Sequence, residues 1–279
     1  MLKKAGKIIL IAEHRLYYLK DLLDRVAVID DGSSYVYSRE EFLHSFDCLS
    51  SKHHLRTIHE IKRNDLKHVK KIQLLSDFST QNVKEEATLL CSCFDVKFDQ
   101  PILHFSLGFE PGVYFIIGQN GVGKSTFVKT LCQLMKAKGK SFYHKEKIKK
   151  SYDFISMVMQ DVNYQIYTES CFEELNVISK DENFILKSLK SVNLLDKKDV
   201  HPQILSGGEK QRLLLAKTKV STKPIIILDE PTSGLDCLQM KRMIDFLDEM
   251  KKEGKVVLVI THDYELIQSY DAHVFEFIR

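Results

Sequence analysis

An α/β fold built around a parallel sheet is predicted by three segments of the sequence. Val113-Tyr114-Phe115-Ile116-Ile117 reads as an apolar strand and leads, through a glycine-containing loop, to apolar residues at helical spacing between Phe127 and Met135. Pro224-Ile225-Ile226-Ile227-Leu228 lacks polar alternation, as a strand buried on both faces does, and ends in Asp229-Glu230. Val256 to Ile260 is a third such run, entered from a glycine turn and left toward a histidine. The 279 residues allow one large or two small domains, and 44% hydrophobic residues with 5 Pro and 12 Gly exclude a disordered or collagen-like chain. Lys plus Arg (41) nearly balances Asp plus Glu (38), which argues against a dedicated nucleic-acid binder. No aliphatic run approaches the ~18 residues of a membrane span, and the start has no signal-peptide cleavage pattern, so a soluble globular protein is expected. The cysteines (Cys48, Cys91, Cys93, Cys132, Cys171, Cys237) follow no framework spacing, and Cys91-x-Cys93 lacks a partner pair for zinc, so reduced thiols are expected.

The chain repeats itself. Gly6-Lys7-Ile8-Ile9-Leu10-Ile11-Ala12-Glu13-His14 aligns with Gly254-Lys255-Val256-Val257-Leu258-Val259-Ile260-Thr261-His262 at a constant offset of 248. Each copy continues into a helix-like stretch, Tyr17 to Leu23 and Tyr264 to Ser269, and a short strand, Val26 to Ile29 against Val274 to Phe277. The first 30 residues therefore read as the tail of a unit whose complete copy ends at Arg279. Between the copies the chain is polar and helix-prone. Lys52 to Lys71 holds seven Lys/Arg against Glu60 and Asp65, and His53, His54, His59 and His68 lack a ligand spacing, so a solvated linker rather than a metal site is expected. The boundary falls near Glu86, before the strand-like Thr88 to Lys97. The expected organisation is a partial α/β remnant at 1–38, a helical, polar linker at 39–87 and a complete domain at 88–279.

Gly118-Gln119-Asn120-Gly121-Val122-Gly123-Lys124-Ser125-Thr126 satisfies G-x-x-x-x-G-K-[ST] between a strand and a helix. Its glycines let backbone N–H groups turn toward phosphates, and the following helix presents its positive end to them. Lys124 is positioned by the motif for the terminal phosphates, and the Ser125 hydroxyl for Mg2+. In a doubly wound sheet the carboxyl ends of strands carry the ligands, so Asp229 can hold the metal's water shell and Glu230 can reach an attacking water. An acidic pair before Pro231 also suits a plain turn; the phosphate loop upstream favours the catalytic role.

Leu205-Ser206-Gly207-Gly208-Glu209-Lys210-Gln211-Arg212 resembles the signature octet of the ATP-binding cassette (ABC) family. Gln160 after Ser156-Met157-Val158-Met159 resembles the family's Q-loop, Ser233-Gly234-Leu235-Asp236 its D-loop and His262 its switch histidine. The resemblance covers residues 88 to 279 and implies a P-loop NTPase fold of the ABC nucleotide-binding type, with a helical signature subdomain. It implies ATP and Mg2+ as cofactors. Nucleotide contacts would come from Asn120, Gly121, Gly123, Lys124, Ser125 and Thr126, with Phe98 as the adenine-stacking aromatic; Phe94 is the nearby alternative, and either ring also suits a plain core. Ser125, Gln160 and Asp229 would face the metal, and Glu230, His262 and Gln160 would act in catalysis. Ser206, Gly207, Gly208 and Glu209 would act on ATP held by a second cassette, so a homo- or heterodimer of cassettes is implied, and Asp236 would be the D-loop residue.

Met159 to Ser170 resembles the energy-coupling-factor ATPases, which drive uptake of B vitamins and metal ions and in some cases carry two cassettes in one polypeptide. Ala12 to Leu19 and the Leu55-Arg56 region resemble the end of the first cassette in such tandem proteins. The implied function is an ATP-hydrolysing subunit of an ABC transporter, peripheral to the cytoplasmic side of the membrane through a transmembrane component, with no nucleic-acid partner. One intact cassette does not make a two-cassette site, and truncation is the expected cause, ahead of an upstream protein supplying the remainder or self-association. The competing readings are a chain that binds nucleotide without turnover and a soluble, non-transport ABC ATPase. Against the latter, Lys136 to Lys150, with seven Lys against Glu146, reads as a solvated hairpin rather than a nucleic-acid contact.

Overall fold

A computed structural model describes residues 6–30, 32–75, 86–97 and 101–279. They divide into two compact units, one drawn from Met1–Lys62 and Gly234–Lys241, the other from Arg63–Ser233 and Arg242–Arg279.

In the first unit, β1 (Arg25–Asp30) and β2 (Ser33–Ser38) form an antiparallel hairpin with Val28 opposite Tyr35. Ser38 and Glu41 then form a capping box that starts α1 (Arg39–His44), followed by α2 (Phe46–His53). Phe42 of α1 and Phe46 of α2 meet edge to face and pack with Val28, Leu49 and Ile58 into a small core. The expected strand at Ile8 to Ile11 is absent: these residues have no regular structure and are exposed. Strand backbone needs hydrogen-bonding neighbours, and the described residues provide none for it.

The second unit holds two sheets. The larger is wholly parallel, in the order β3 (Val69–Gln73), β12 (His273–Ile278), β6 (Gly112–Gly118), β11 (Val256–Ile260), β10 (Ile225–Asp229), β9 (Ile155–Val158). The smaller is antiparallel, in the order β5 (Pro101–Phe109), β4 (Leu89–Lys97), β7 (Lys138–Tyr143), β8 (Glu146–Lys147). Helix α3 (Lys124–Leu131) joins the two through aromatic rings: Phe127 lies 5.7 Å from Phe105 of the small sheet and 5.5 Å from Phe277 of the large one, centroid to centroid. The fold class read from the sequence is borne out, the strands at 113–117, 224–228 and 256–260 being β6, β10 and β11. The remaining helices are α4 (Cys171–Asn176), α5 (Glu182–Ser191), α6 (Gly207–Val220), α7 (Cys237–Lys252) and α8 (Tyr264–Ser269). The lysine-rich 138–147 stretch is the β7–β8 hairpin.

Residues 63–75, expected to be linker, instead supply the edge of the large sheet. Ile72 and Leu74 are buried while Lys70 and Lys71 stay exposed, the pattern of a protected edge strand, and Arg63 pairs with Glu276 of β12. Leu74 carries the connection further: its N–H bonds to Ile278 (2.9 Å) and its carbonyl accepts from His104 of β5 (2.7 Å), stitching the two sheets together. Among the described residues no helix is long and apolar enough to cross a membrane.

Candidate functional site

Because the strands of the large sheet all run parallel, all their carboxyl ends reach one edge. The pairings Leu228 with Val158, Asp229 with Ile260, Ile260 with Ile116 and Phe277 with Gly118 bring five strand ends level there. The phosphate loop after β6, Gln160 after β9, Asp229-Glu230 at the end of β10 and Thr261-His262 after β11 therefore converge, although they span half the sequence.

The loop is shaped by close backbone approach. Gly118 has φ +150°, and a Cβ there would lie 2.6 Å from the Phe277 carbonyl oxygen of β12. Gly123, with φ +126°, sits against Leu103 and Leu74 and heads α3 with no side-chain cap, so the first-turn N–H groups of that helix keep their capacity for an anion. Gly118→Ala is expected to cost about 2–4 kcal/mol from backbone strain and overpacking together, measured by urea denaturation. Asn120, Gly121 and Ser125 are exposed, Thr126 is half-buried and Lys124 is buried. The Lys124 ammonium donates to the Gly118 (2.7 Å) and Gln119 (3.2 Å) carbonyls, which holds its charge at the centre of the loop. Burial lowers its pKa, against the pull of Glu230 and Asp229.

Burial also raises the Asp229 carboxyl, with Lys124 and Lys129 opposing. Glu230 takes a positive φ of 50°, an unusual conformation for a residue with a Cβ, and its amide donates to the Ile260 carbonyl (2.8 Å). Its Oε2 accepts from the Thr261 hydroxyl (3.3 Å) and lies 3.5 Å from the His262 amide. Two residues that the sequence reading missed brace this corner: the buried Thr232 hydroxyl donates to Asp263 Oδ2 (2.6 Å), locking the β10 loop to the β11 loop. The signal for Asp263 lay in its place before Tyr264, where it caps α8.

Gln160 is exposed, and the segment after it is held by Gln165, whose side chain accepts from the Met159 amide and donates to the Met157 carbonyl, each at 2.7 Å. Ser206 caps α6. Its hydroxyl donates to Glu209 Oε2 (2.9 Å), and Glu209 also takes the Ser206 amide (2.9 Å) and an ion pair from Lys197. Lys197, then the Ser206 groups, hold the Glu209 carboxyl at about 2 against its partial burial. Ser206 and Gly207 are exposed at the helix tip and Gly208 is half-buried. Gln211, one turn on, donates to the Pro231 carbonyl, so the signature helix is tethered to the turn beyond Glu230. Asp236 opens α7 by accepting from the Gln239 amide (2.7 Å). Phe98 lies outside the described residues, while Phe94 is core, packed on Phe105 and Phe127.

Residues 103–233 match the ABC transporter family. An ABC transporter ATP-binding protein of Treponema denticola is 32% identical over 98% of this chain and 56% of its own length, so the chain spans about half of that curated relative. One from Pyrococcus furiosus is 32% identical over 60% of this chain and 70% of its own length. Among solved structures, CbiO1 of Clostridium perfringens, part of the ABC transporter complex CbiONQ, superposes with a TM-score of 0.60 and 26% identity, over 69% of this chain and 85% of that one. With a phosphate loop, an acidic strand end and a serine-capped signature helix in one domain, the chain belongs to the ABC transporter ATP-binding protein family.

Proposed function

We propose that this chain binds and hydrolyses ATP with Mg2+ as the energy-supplying subunit of an ABC transporter of the energy-coupling-factor type, taking up a vitamin or a metal ion. The observation that carries the reading is the convergence of the Gly118–Thr126 loop, Gln160, Asp229-Glu230 and His262 on one edge of a parallel sheet. The transporter type is supported by the likeness to CbiO1 and by the stretch Met159 to Ser170.

The chemistry follows from the residues present. The α3 N-terminus and the Lys124 ammonium take the phosphates, trading the loop carbonyls for phosphate oxygens. Ser125 Oγ, Asp229 and Gln160 are hard oxygen donors of the kind Mg2+ accepts alongside phosphates and water, and the ion supplies neutralisation of phosphate charge when bound. Glu230 accepts the proton of the lytic water, oriented by Thr261 and the His262 amide, and the His262 ring contacts the γ-phosphate. Ser206 acts on ATP held by a second cassette: its hydroxyl turns from Glu209, which stays satisfied by Lys197 and the Ser206 amide. A transmembrane component docks the chain at the cytoplasmic side of the membrane.

Lys124→Ala tests the site. Loss of a charged hydrogen-bond donor is worth about 1.5–3 kcal/mol, so binding of a nonhydrolysable ATP analogue is expected to weaken roughly 10- to 150-fold by calorimetric titration. Unchanged affinity would place the nucleotide elsewhere.

A further inference from the structure

The small antiparallel sheet has two unlike faces, because successive side chains along a strand point to opposite sides. Leu89, Cys91, Leu107 and Ser141 face the core and are buried, as is Ile148 just beyond β8. The alternate positions of the β7–β8 hairpin form an outer face. On β7 these are Lys138, Lys140 and Phe142, and Lys147 of β8 stands opposite Phe142. The Ile148 amide extends the pairing to the Ser141 carbonyl (2.8 Å), so Lys149 follows on the Lys140 side. All four lysines are exposed, and Phe142 is half-buried among them. The carboxylates nearby are engaged or turned elsewhere. Asp95 of β4, across from Lys138, has its carboxylate 3.5 Å from His104 Nδ1; Glu86 pairs with Lys145 of the turn; and Glu146, opposite Tyr143, falls on the other side of the hairpin. Like charges side by side on neighbouring strands repel, so this face is complementary to an anionic surface.

Lysines alone would suit a protected sheet edge, but the apolar groups presented with them do not serve that purpose. Gln133, just past α3 in left-handed backbone (φ 58°), clasps the far end of the hairpin. Its side chain donates to the Ile148 carbonyl (3.2 Å) and accepts from the Ser151 amide (3.0 Å), while the Ser151 hydroxyl donates to the Cys132 carbonyl (2.6 Å). The clasp holds together the segments that carry Leu134 and Tyr152, which are 65% and 62% exposed, and the Lys150 ammonium lies 5.6 Å from the Tyr152 ring centroid. We propose that the outer face of the β7–β8 hairpin, with Leu134 and Tyr152, binds the surface of an anionic phospholipid membrane. The ammonium groups meet headgroup phosphates, and the aliphatic side chain and the amphipathic ring enter the headgroup boundary. A single-stranded nucleic acid would instead need open aromatic faces for its bases; here the Tyr152 ring has Lys150 over it and Phe142 is half-buried. The patch lies off the end of α3 away from the phosphate loop, separated from it by the length of that helix, about 12 Å. It is therefore a membrane contact of this chain's own, independent of the nucleotide site.

The test is cosedimentation of the full chain with vesicles of phosphatidylcholine alone and of phosphatidylcholine mixed with phosphatidylglycerol. Binding is expected to the mixed vesicles only, and to fall as ionic strength rises. A lysine near an anionic surface contributes about fivefold in partitioning, so combining Lys140→Gln with Lys149→Gln is expected to weaken binding roughly 30-fold. The urea midpoint of that variant should equal or exceed the parent's, since the change removes like charges from an exposed face. The chain has no tryptophan, so Tyr152→Trp supplies a single indole whose emission is expected to shift to shorter wavelength on the mixed vesicles and to stay unshifted with polyuridylic acid. Equal binding to both vesicle types, no binding, a double variant that binds like the parent, an unshifted indole, or tighter binding to polyuridylic acid than to the mixed vesicles would each overturn the proposal. Lys124→Ala is expected to leave vesicle binding at the parent value, so this contact and the nucleotide site fail separately.

Discussion

Glu230→Gln is expected to leave ATP binding intact and to cut turnover by roughly 10²–10⁴-fold, the range that a positioned proton acceptor contributes. The substitution is nearly isosteric. Glu230 Oε2 only accepts, from the Thr261 hydroxyl and toward the His262 amide, and the amide oxygen of Gln can do both. The backbone strain at φ 50° is common to both side chains, so fold stability should change little. What disappears is the basic oxygen for the proton of the attacking water. Equilibrium analogue binding and single-turnover hydrolysis separate the two effects; hydrolysis at the parent rate would remove Glu230 from this role.

Lys217→Met should be the most damaging single change to the helical region, at about 3–5 kcal/mol, because it leaves a buried carboxylate uncompensated. The Glu174 side chain is 0% exposed and pairs with Lys217, and it also accepts from the Thr168 hydroxyl (2.8 Å) and the Tyr167 and Thr168 amides. Burial works to raise this carboxyl, and the hydrogen bonds from Lys217 and Thr168 outweigh it and hold it below its ordinary value. A depressed carboxyl stabilises the fold above its unfolded pKa of about 4.3 and loses that contribution as pH falls through the native value. The gap between parent and variant should therefore narrow in acid. Urea denaturation at neutral and acidic pH measures both effects, and pairing Lys217→Met with Glu174→Gln should recover much of the loss. A single variant as stable as the parent would show that Glu174 needs no partner. Lys217 also donates to the Gln165 carbonyl (3.0 Å), so the pair links the segment after Gln160 to the signature helix.

Part of the candidate site was legible in residues 118–126 and 205–212 because those motifs are local. A phosphate loop works through consecutive backbone N–H groups, and a helix cap through residues three apart. Residues 63–75 were not legible: lysine and histidine content there signals a solvated linker, while the alternation of Lys70, Lys71, Ile72 and Leu74 gains its meaning only from the neighbouring β12. Ile8–Ile11 shows the converse, a strand pattern that remains irregular where the described residues lack partners for it.

By itself the sequence determined the parallel core, the glycine-rich loop and the acidic strand end, since burial pattern and loop geometry are written in adjacent residues. Tertiary structure alone decided that Lys197 pairs with Glu209, that Thr232 and Asp263 bond across the corner next to Glu230, that Glu174 is buried against Lys217, and that Gly118 can be nothing larger. Most of these are contacts between positions far apart in the chain, whose energies depend on burial that no local pattern reports.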